Sequence, residues 1–296
     1  MKKRKLLVAM AIVIMAVGLQ GYGFARKSGG VLELVNNHGV INWSRGIVYA
    51  KGIGKATEKT IQKGEKGSAE AKAEMDARSH LFETINRVRI DSSTLVEDLV
   101  KKNDLIRMQL KDMIKVAEIV KREYLSDGTV ELTLGLKLHG GFAQFILPRE
   151  IKHVPNIKTI SPRVQKRKKI EEETKPGVKI PVAGVYTGLI LDARGLKGRP
   201  AMCVRIVDED GREVYGSAYV SREFAVHHGM ARYEKEIKAA RNSQRVSDNP
   251  LIIRGLRAQG SGRCDFVISN ADASKIRGAS ENLLFLKKCR VIIVLD

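Results

Sequence analysis

Ala69, Ala73, Ala77, Leu81, Ile85 and Val88 recur at three- and four-residue spacing, which stacks them on one face of a helix. Alanine fills the first half of that face, so this end of the helix can lie close against a sheet, while Leu81 and Ile85 fill a wider end. Ahead of the helix, Val40 to Gly54 reads as extended chain. Shorter helical signals follow at Leu95-Val96 with Leu99-Val100, and at Ile106, Leu110 and Met113-Ile114. The period then switches to two. Val130, Leu132, Leu134, Leu136 and Leu138 alternate with Glu131, Thr133, Gly135 and Lys137, the pattern of a half-buried antiparallel strand. Ser126-Asp127-Gly128 marks a hairpin turn between it and the Val116–Leu125 run. Together these elements predict an α+β fold, a small antiparallel sheet with a helix packed across one face.

The second half is patterned differently. Val185–Leu191, Met202–Val207, Leu251–Ile253, Phe266–Ser269 and Val291–Leu295 are short continuous apolar runs of the length buried strands take. Asp208-Glu209-Asp210-Gly211 reads as a hairpin turn, and Tyr233, Glu234, Ile237 and Lys238 as a short amphipathic helix. The final run belongs inside a sheet, because an exposed apolar strand invites edge pairing. A mixed α/β domain is therefore predicted over residues 183–296, following an α+β domain over 36–147. Between them lie five of the seven prolines, Pro148 to Pro181, and the charge block Lys166, Arg167, Lys168 and Lys169 followed by Glu171–Glu173. Proline at this density excludes regular helix, and the charges cannot bury, so residues 148–182 read as an exposed linker. Its lysine-arginine run is a candidate polyanion contact.

The N-terminus changes where the chain is expected to work. Lys2, Lys3, Arg4 and Lys5 precede a fourteen-residue apolar run, Leu6–Leu19, and then Gly23 and Ala25. That order is the n-region, h-region and small-residue cleavage site of a secretory signal peptide, with cleavage after Ala25. The run is too short for a hydrocarbon core that needs about 20 apolar residues. Export to the periplasm is the expectation, with no transmembrane helix once residues 1–25 are removed. The net charge of +20 falls to +16 when the four positive charges of that segment are taken off. Outside the cytoplasm, such a charge faces anionic envelope polymers or lipid head groups rather than nucleic acid.

Catalytic patterns are sparse. Gly52-Ile-Gly54 lacks the third glycine and the strand-to-helix setting of a dinucleotide loop. Neither Gly216-Ser217 nor Gly260-Ser261-Gly262 forms a nucleophile elbow. His227 and His228 are adjacent and diverge on any regular element. Cys203, Cys264 and Cys289 are too few and too far apart for a zinc knuckle, although two of them can pair in an oxidising compartment. No metal or cofactor is expected. One weak ligand cluster is kept. Asp192 and Arg194 follow the Val185–Leu191 strand, and Arg222, Glu223 and His227 lie near a helix start. Ligands gather outside the carboxyl ends of strands in open α/β sheets, although a structural ion pair with turn residues is the favoured reading.

Trp43-Ser-Arg-Gly46, the Gly52-Ile-Gly54 strand end, the alanine-rich helix Ala69–Ala77 and the Asp127–Leu136 hairpin give the first half a resemblance to a known family. Over roughly residues 40–147 it resembles the FlgP-type envelope lipoproteins and the N-terminal domain of the flagellar ring protein FlgT. The resemblance implies a non-enzymatic periplasmic or outer-membrane-associated protein, in some members part of flagellar assembly. The lipoproteins carry cysteine at the cleavage point, where this chain has Ala25-Arg26. The leading expectation is a non-catalytic envelope component whose partners are envelope proteins or anionic polymers, with homo-oligomerisation left open. The alternatives are a peptidoglycan- or lipopolysaccharide-binding module and, less favoured, an envelope hydrolase centred on Asp192 and His227.

Overall fold

The computed structural model describes residues 30–55, 66–149, 151 and 185–296. The segment read as a signal peptide, including Ala25, lies outside the described residues, as do Lys166, Arg167, Lys168 and Lys169.

The first half is the expected α+β unit. Strands β1 (Leu32–Leu34), β2 (Gly39–Asn42), β3 (Ile47–Lys55), β4 (Glu118–Tyr124) and β5 (Thr129–Lys137) form an antiparallel sheet in the order β1-β2-β3-β5-β4. Where continuous extended chain was expected over 40–54, the structure has a hairpin that turns at Trp43–Gly46. Helix α1 (Lys66–Asn86) crosses the sheet, and Ala69, Ala73, Ala77, Leu81 and Ile85 are all buried beneath it. The close approach comes from both partners. A Cβ on Gly52 would sit 2.2 Å from the Ala73 carbonyl oxygen, and one on Gly54 would sit 1.9 Å from that of Ala69. Helices α2 (Val96–Lys102) and α3 (Asp104–Lys115) follow, with Asn103 capping α3 by accepting from the Leu105 and Ile106 amides. Helix α4 (Gly141–Ile146) closes this half. The start of the expected linker is packed: Ile151 is buried, and its amide donates to the Pro148 carbonyl. Residues 152–184 lie outside the described residues.

The second half holds two four-stranded sheets. One is parallel throughout, ordered β10 (Pro250–Arg254), β6 (Gly188–Asp192), β13 (Val291–Val294), β9 (Arg232–Glu234). Its two central strands are buried on both faces, which is why they read as continuous apolar runs. Ile190, Ile292 and Val294 pack with Ala240 of helix α6 (Ile237–Arg241) and with Val246, whereas Leu189, Leu191, Val291 and Ile293 join the main core. The second sheet, ordered β11 (Arg257–Gln259), β12 (Asp265–Val267), β7 (Arg205–Val207), β8 (Glu213–Tyr215), contributes Ile206, Val214, Tyr215 and Phe266 to that core. Helices α5 (Arg222–His228), α7 (Asn270–Arg277) and α8 (Ser280–Lys287) complete it. The C-terminal strand is inserted as expected. The amphipathic helix expected around Tyr233 is shorter. Tyr233 and Glu234 belong to β9, because pairing with β13 and burial of the Tyr233 ring override the helical spacing.

The halves share one apolar core and are stitched by polar contacts. The Met202 amide donates to the Arg89 carbonyl, and the Cys203 amide to that of Ile90. Glu33 of β1 accepts from Arg89 (2.9 Å), from Arg199 across the boundary (2.7 Å) and from the Trp43 indole (2.9 Å). Burial pushes the Glu33 carboxyl up, but these donors outweigh it and hold it below its ordinary range. Its folded value is depressed, so the stability it supplies is complete above the unfolded carboxyl value of about 4.3 and is lost as pH falls through the folded one. Glu33→Ala leaves the buried Arg89 without its carboxylate. A loss of about 3 kcal/mol at pH 7 is expected in denaturant unfolding, shrinking towards zero in acid.

Candidate functional site

A cleft of about 600 Å³ opens where the two halves meet. The first half contributes Trp43, Ser44, Arg45 and His139, and the second contributes Phe224, His227, His228, Ala231, Arg232, Gln244, Arg245, Lys288, Cys289 and Arg290. Five of these side chains are cationic, three are histidines and none is a carboxylate.

Local structure fixes each wall. The β2–β3 turn holds Arg45 through its amide, which donates to Asn42 Oδ1 at 3.0 Å. Ser44 Oγ donates to the Tyr233 carbonyl at 2.5 Å, and the Trp43 indole packs edge-on against the Tyr233 ring at 6.0 Å. These contacts lock the turn to the second half. Gly46 closes it at φ +63°, and His139 occupies the space beside it, where a Cβ on Gly46 would meet Nε2 at 2.2 Å. Gly229, at φ +73°, flanks the same ring. Burial, Arg245 and His228 bring the His139 imidazole down to about 4, so it is neutral at physiological pH.

Arg245 organises the wall from the second half. Its guanidinium donates to the carbonyls of Cys289 (2.8 Å), His228 (2.7 Å), Gly229 (2.6 Å) and Met230 (3.3 Å), tying three segments together without a carboxylate. Arg232 pairs with Glu234 at 2.8 Å. Arg45, Lys288 and Arg290 have no carboxylate partner among the described residues. His228 stacks on Phe224 and lies 6.5 Å from His227 between ring centroids. Burial, Arg245 and His227 all pull the His228 value down.

The weak cluster expected from sequence does not assemble as one site. Asp192 and Arg194 form a close pair (2.8 Å) at the carboxyl end of β6, so the favoured ion-pair reading stands. His227 lies at the other end of the parallel sheet, in the cleft beside Arg290, whose carbonyl pairs with Leu189 at the start of β6. Arg222 starts helix α5 and reaches the Pro148 (2.8 Å) and Gln144 (2.7 Å) carbonyls, so it fastens α5 to the first half. The hairpin turn at Asp208 is present, and its carboxylate is committed. Asp208 is buried and accepts from Arg212 and Arg277; burial raises its pKa, but these donors bring it down to about 2. Cys203, Cys264 and Cys289 are all buried.

Arg45 sits inside a motif the sequence had singled out, but Arg232, Arg245, Lys288, Arg290 and His139 were missed. They come from segments far apart in the chain, and no spacing pattern links them.

Among the described residues no helix is long and apolar enough to cross a membrane. No curated protein matches the chain. Residues 188–296, from the first residue of β6 to the end, match the family model described as the second domain of Treponema pallidum Tp0624, so the parallel-sheet half is similar to that domain.

Proposed function

We propose that the protein is a non-catalytic, exported component of the cell envelope that holds an anionic envelope polymer, peptidoglycan or lipopolysaccharide, in the cleft between its halves. The observation that carries this reading is the cleft wall, with five cationic side chains and no carboxylate. Such a surface raises the local concentration of anions and rejects cations. The signal-peptide pattern of residues 1–25 supports export, and the charge of the rest of the chain suits an anionic partner. The resemblance of residues 40–147 to FlgP- and FlgT-type proteins supports an assembly role, and a flagellar one rests on that resemblance alone. A hydrolase centred on Asp192 and His227 has less support, since these residues occupy opposite ends of the sheet.

Two results test the reading together. After cell fractionation the protein is expected in the periplasmic or envelope fraction, with residues 1–25 removed. It is also expected to sediment with purified sacculi or to be retained on lipopolysaccharide at low salt, and to be released as ionic strength shortens the Debye length from about 10 Å towards 3 Å. Residence in the cytoplasm, or retention indifferent to salt, contradicts it.

A further inference from the structure

We infer that the group recognised in the cleft is a phosphate rather than a carboxylate, and that His228 takes up a proton when it binds. This inference rests on the reading of the cleft as an anion site, and of the two polymers named for it selects lipopolysaccharide, which carries phosphates, over peptidoglycan, whose anionic groups are carboxylates.

Charge accounting favours phosphate. Arg245 is committed to backbone carbonyls and Arg232 to Glu234, which leaves Arg45, Lys288 and Arg290 facing the space without a carboxylate. A single carboxylate offsets one of these charges, whereas a phosphate carries nearly two negative charges and three acceptor oxygens. Arginine's planar fork also matches phosphate oxygens in pairs. A cleft of about 600 Å³ is large enough for a ligand bearing more than one such group.

The proton follows from what surrounds His228. Its ring stacks on Phe224, His227 and Arg245 act on it from the second half, and His139 acts on it from the first. Burial first, and then Arg245 and His227, oppose protonation of His228 and lower its value. A bound phosphate reverses that field at close range, so imidazolium forms and donates to the phosphate oxygens.

The test uses the full exported protein and calorimetric titration with pyrophosphate and with citrate, in two buffers of different ionisation enthalpy. Pyrophosphate is expected to bind about tenfold more tightly than citrate, with net proton uptake, and more tightly at pH 6.5 than at pH 8. His228→Gln is expected to abolish the uptake and flatten the pH profile while leaving the melting temperature unchanged. Lipopolysaccharide before and after dephosphorylation, with free polyphosphate as competitor, separates a polymer-borne phosphate from a soluble one. Equal binding of citrate and pyrophosphate without proton uptake overturns this inference but leaves the anion cleft standing. Failure of both ligands, with sacculus retention intact in Arg290→Ala, overturns the cleft reading itself.

Discussion

Gly52→Val is expected to unfold the first half of the protein, costing more than about 3 kcal/mol, above the usual range for overpacking a core. The reason lies in what the new side chain meets. A Cβ at this position falls 2.2 Å from the Ala73 carbonyl oxygen and 2.2 Å from the Ala77 amide nitrogen, so the obstacle is the backbone of α1 rather than a movable side chain. The helix must lift off β3, and Ala69, Ala73, Ala77, Leu81 and Ile85, all buried, lift with it. Gly67 offers the contrast. It lies near the start of the same helix with nothing within 4 Å of its Cβ position. Gly67→Ala is expected to stabilise by a few tenths of a kcal/mol and up to about 1 kcal/mol. Urea unfolding of both variants, followed by circular dichroism, checks the pair; a Gly52→Val protein within about 1 kcal/mol of wild type contradicts the packing account.

Arg245→Ala is expected to cost about 3–5 kcal/mol, because several charge-assisted hydrogen bonds, each worth about 1.5–3 kcal/mol, are lost together. Water can reach part of the vacated space, which keeps the sum below full additivity. The Met230 carbonyl retains its bond from the Tyr215 hydroxyl (2.6 Å), whereas the Gly229 and Cys289 carbonyls lose the guanidinium. Arg245→Lys is expected to recover less than half of the loss, since one ammonium cannot span carbonyls that a planar fork reaches in three directions. Denaturant midpoints of the two variants decide the matter. A lysine variant as stable as wild type shows that charge alone suffices there.

Much of the fold was legible because local pattern and tertiary packing agree. The alanine-then-leucine face of α1, the period-two run of β5 and the Asp-Gly turn before it each specify one element, and the structure has all three. Tyr233 marks where that agreement ends. Its helical spacing to Ile237 is real, yet parallel pairing with β13 and the hydrogen bonds of its hydroxyl to Ala201 place it in a strand. The cleft was legible only as excess charge. Arg45 belongs to a turn the sequence flagged, but Arg232, Arg245 and Arg290 come to line one cleft only when β9, the segment after α6 and the entry to β13 meet at one end of the sheet. The expectation of a site at the carboxyl ends of the strands selected Asp192, whose partner Arg194 is two residues away. Such an i,i+2 pair is a local turn device, and nothing in one sequence distinguishes it from a ligand pair.

The cleft between the halves is proposed to hold an anionic envelope ligand. This is tested by retention of the protein without residues 1–25 on purified sacculi and on lipopolysaccharide across a salt series, for wild type and for Arg45→Ala/Lys288→Ala/Arg290→Ala. A second triple variant, Lys102→Ala/Lys111→Ala/Lys235→Ala, removes the same charge from exposed positions outside the cleft. The cleft variant is expected to lose at least about tenfold in affinity at low salt, with an unchanged melting temperature, while the control variant stays close to wild type. Equal losses in the two variants, or none in the cleft variant, would contradict it.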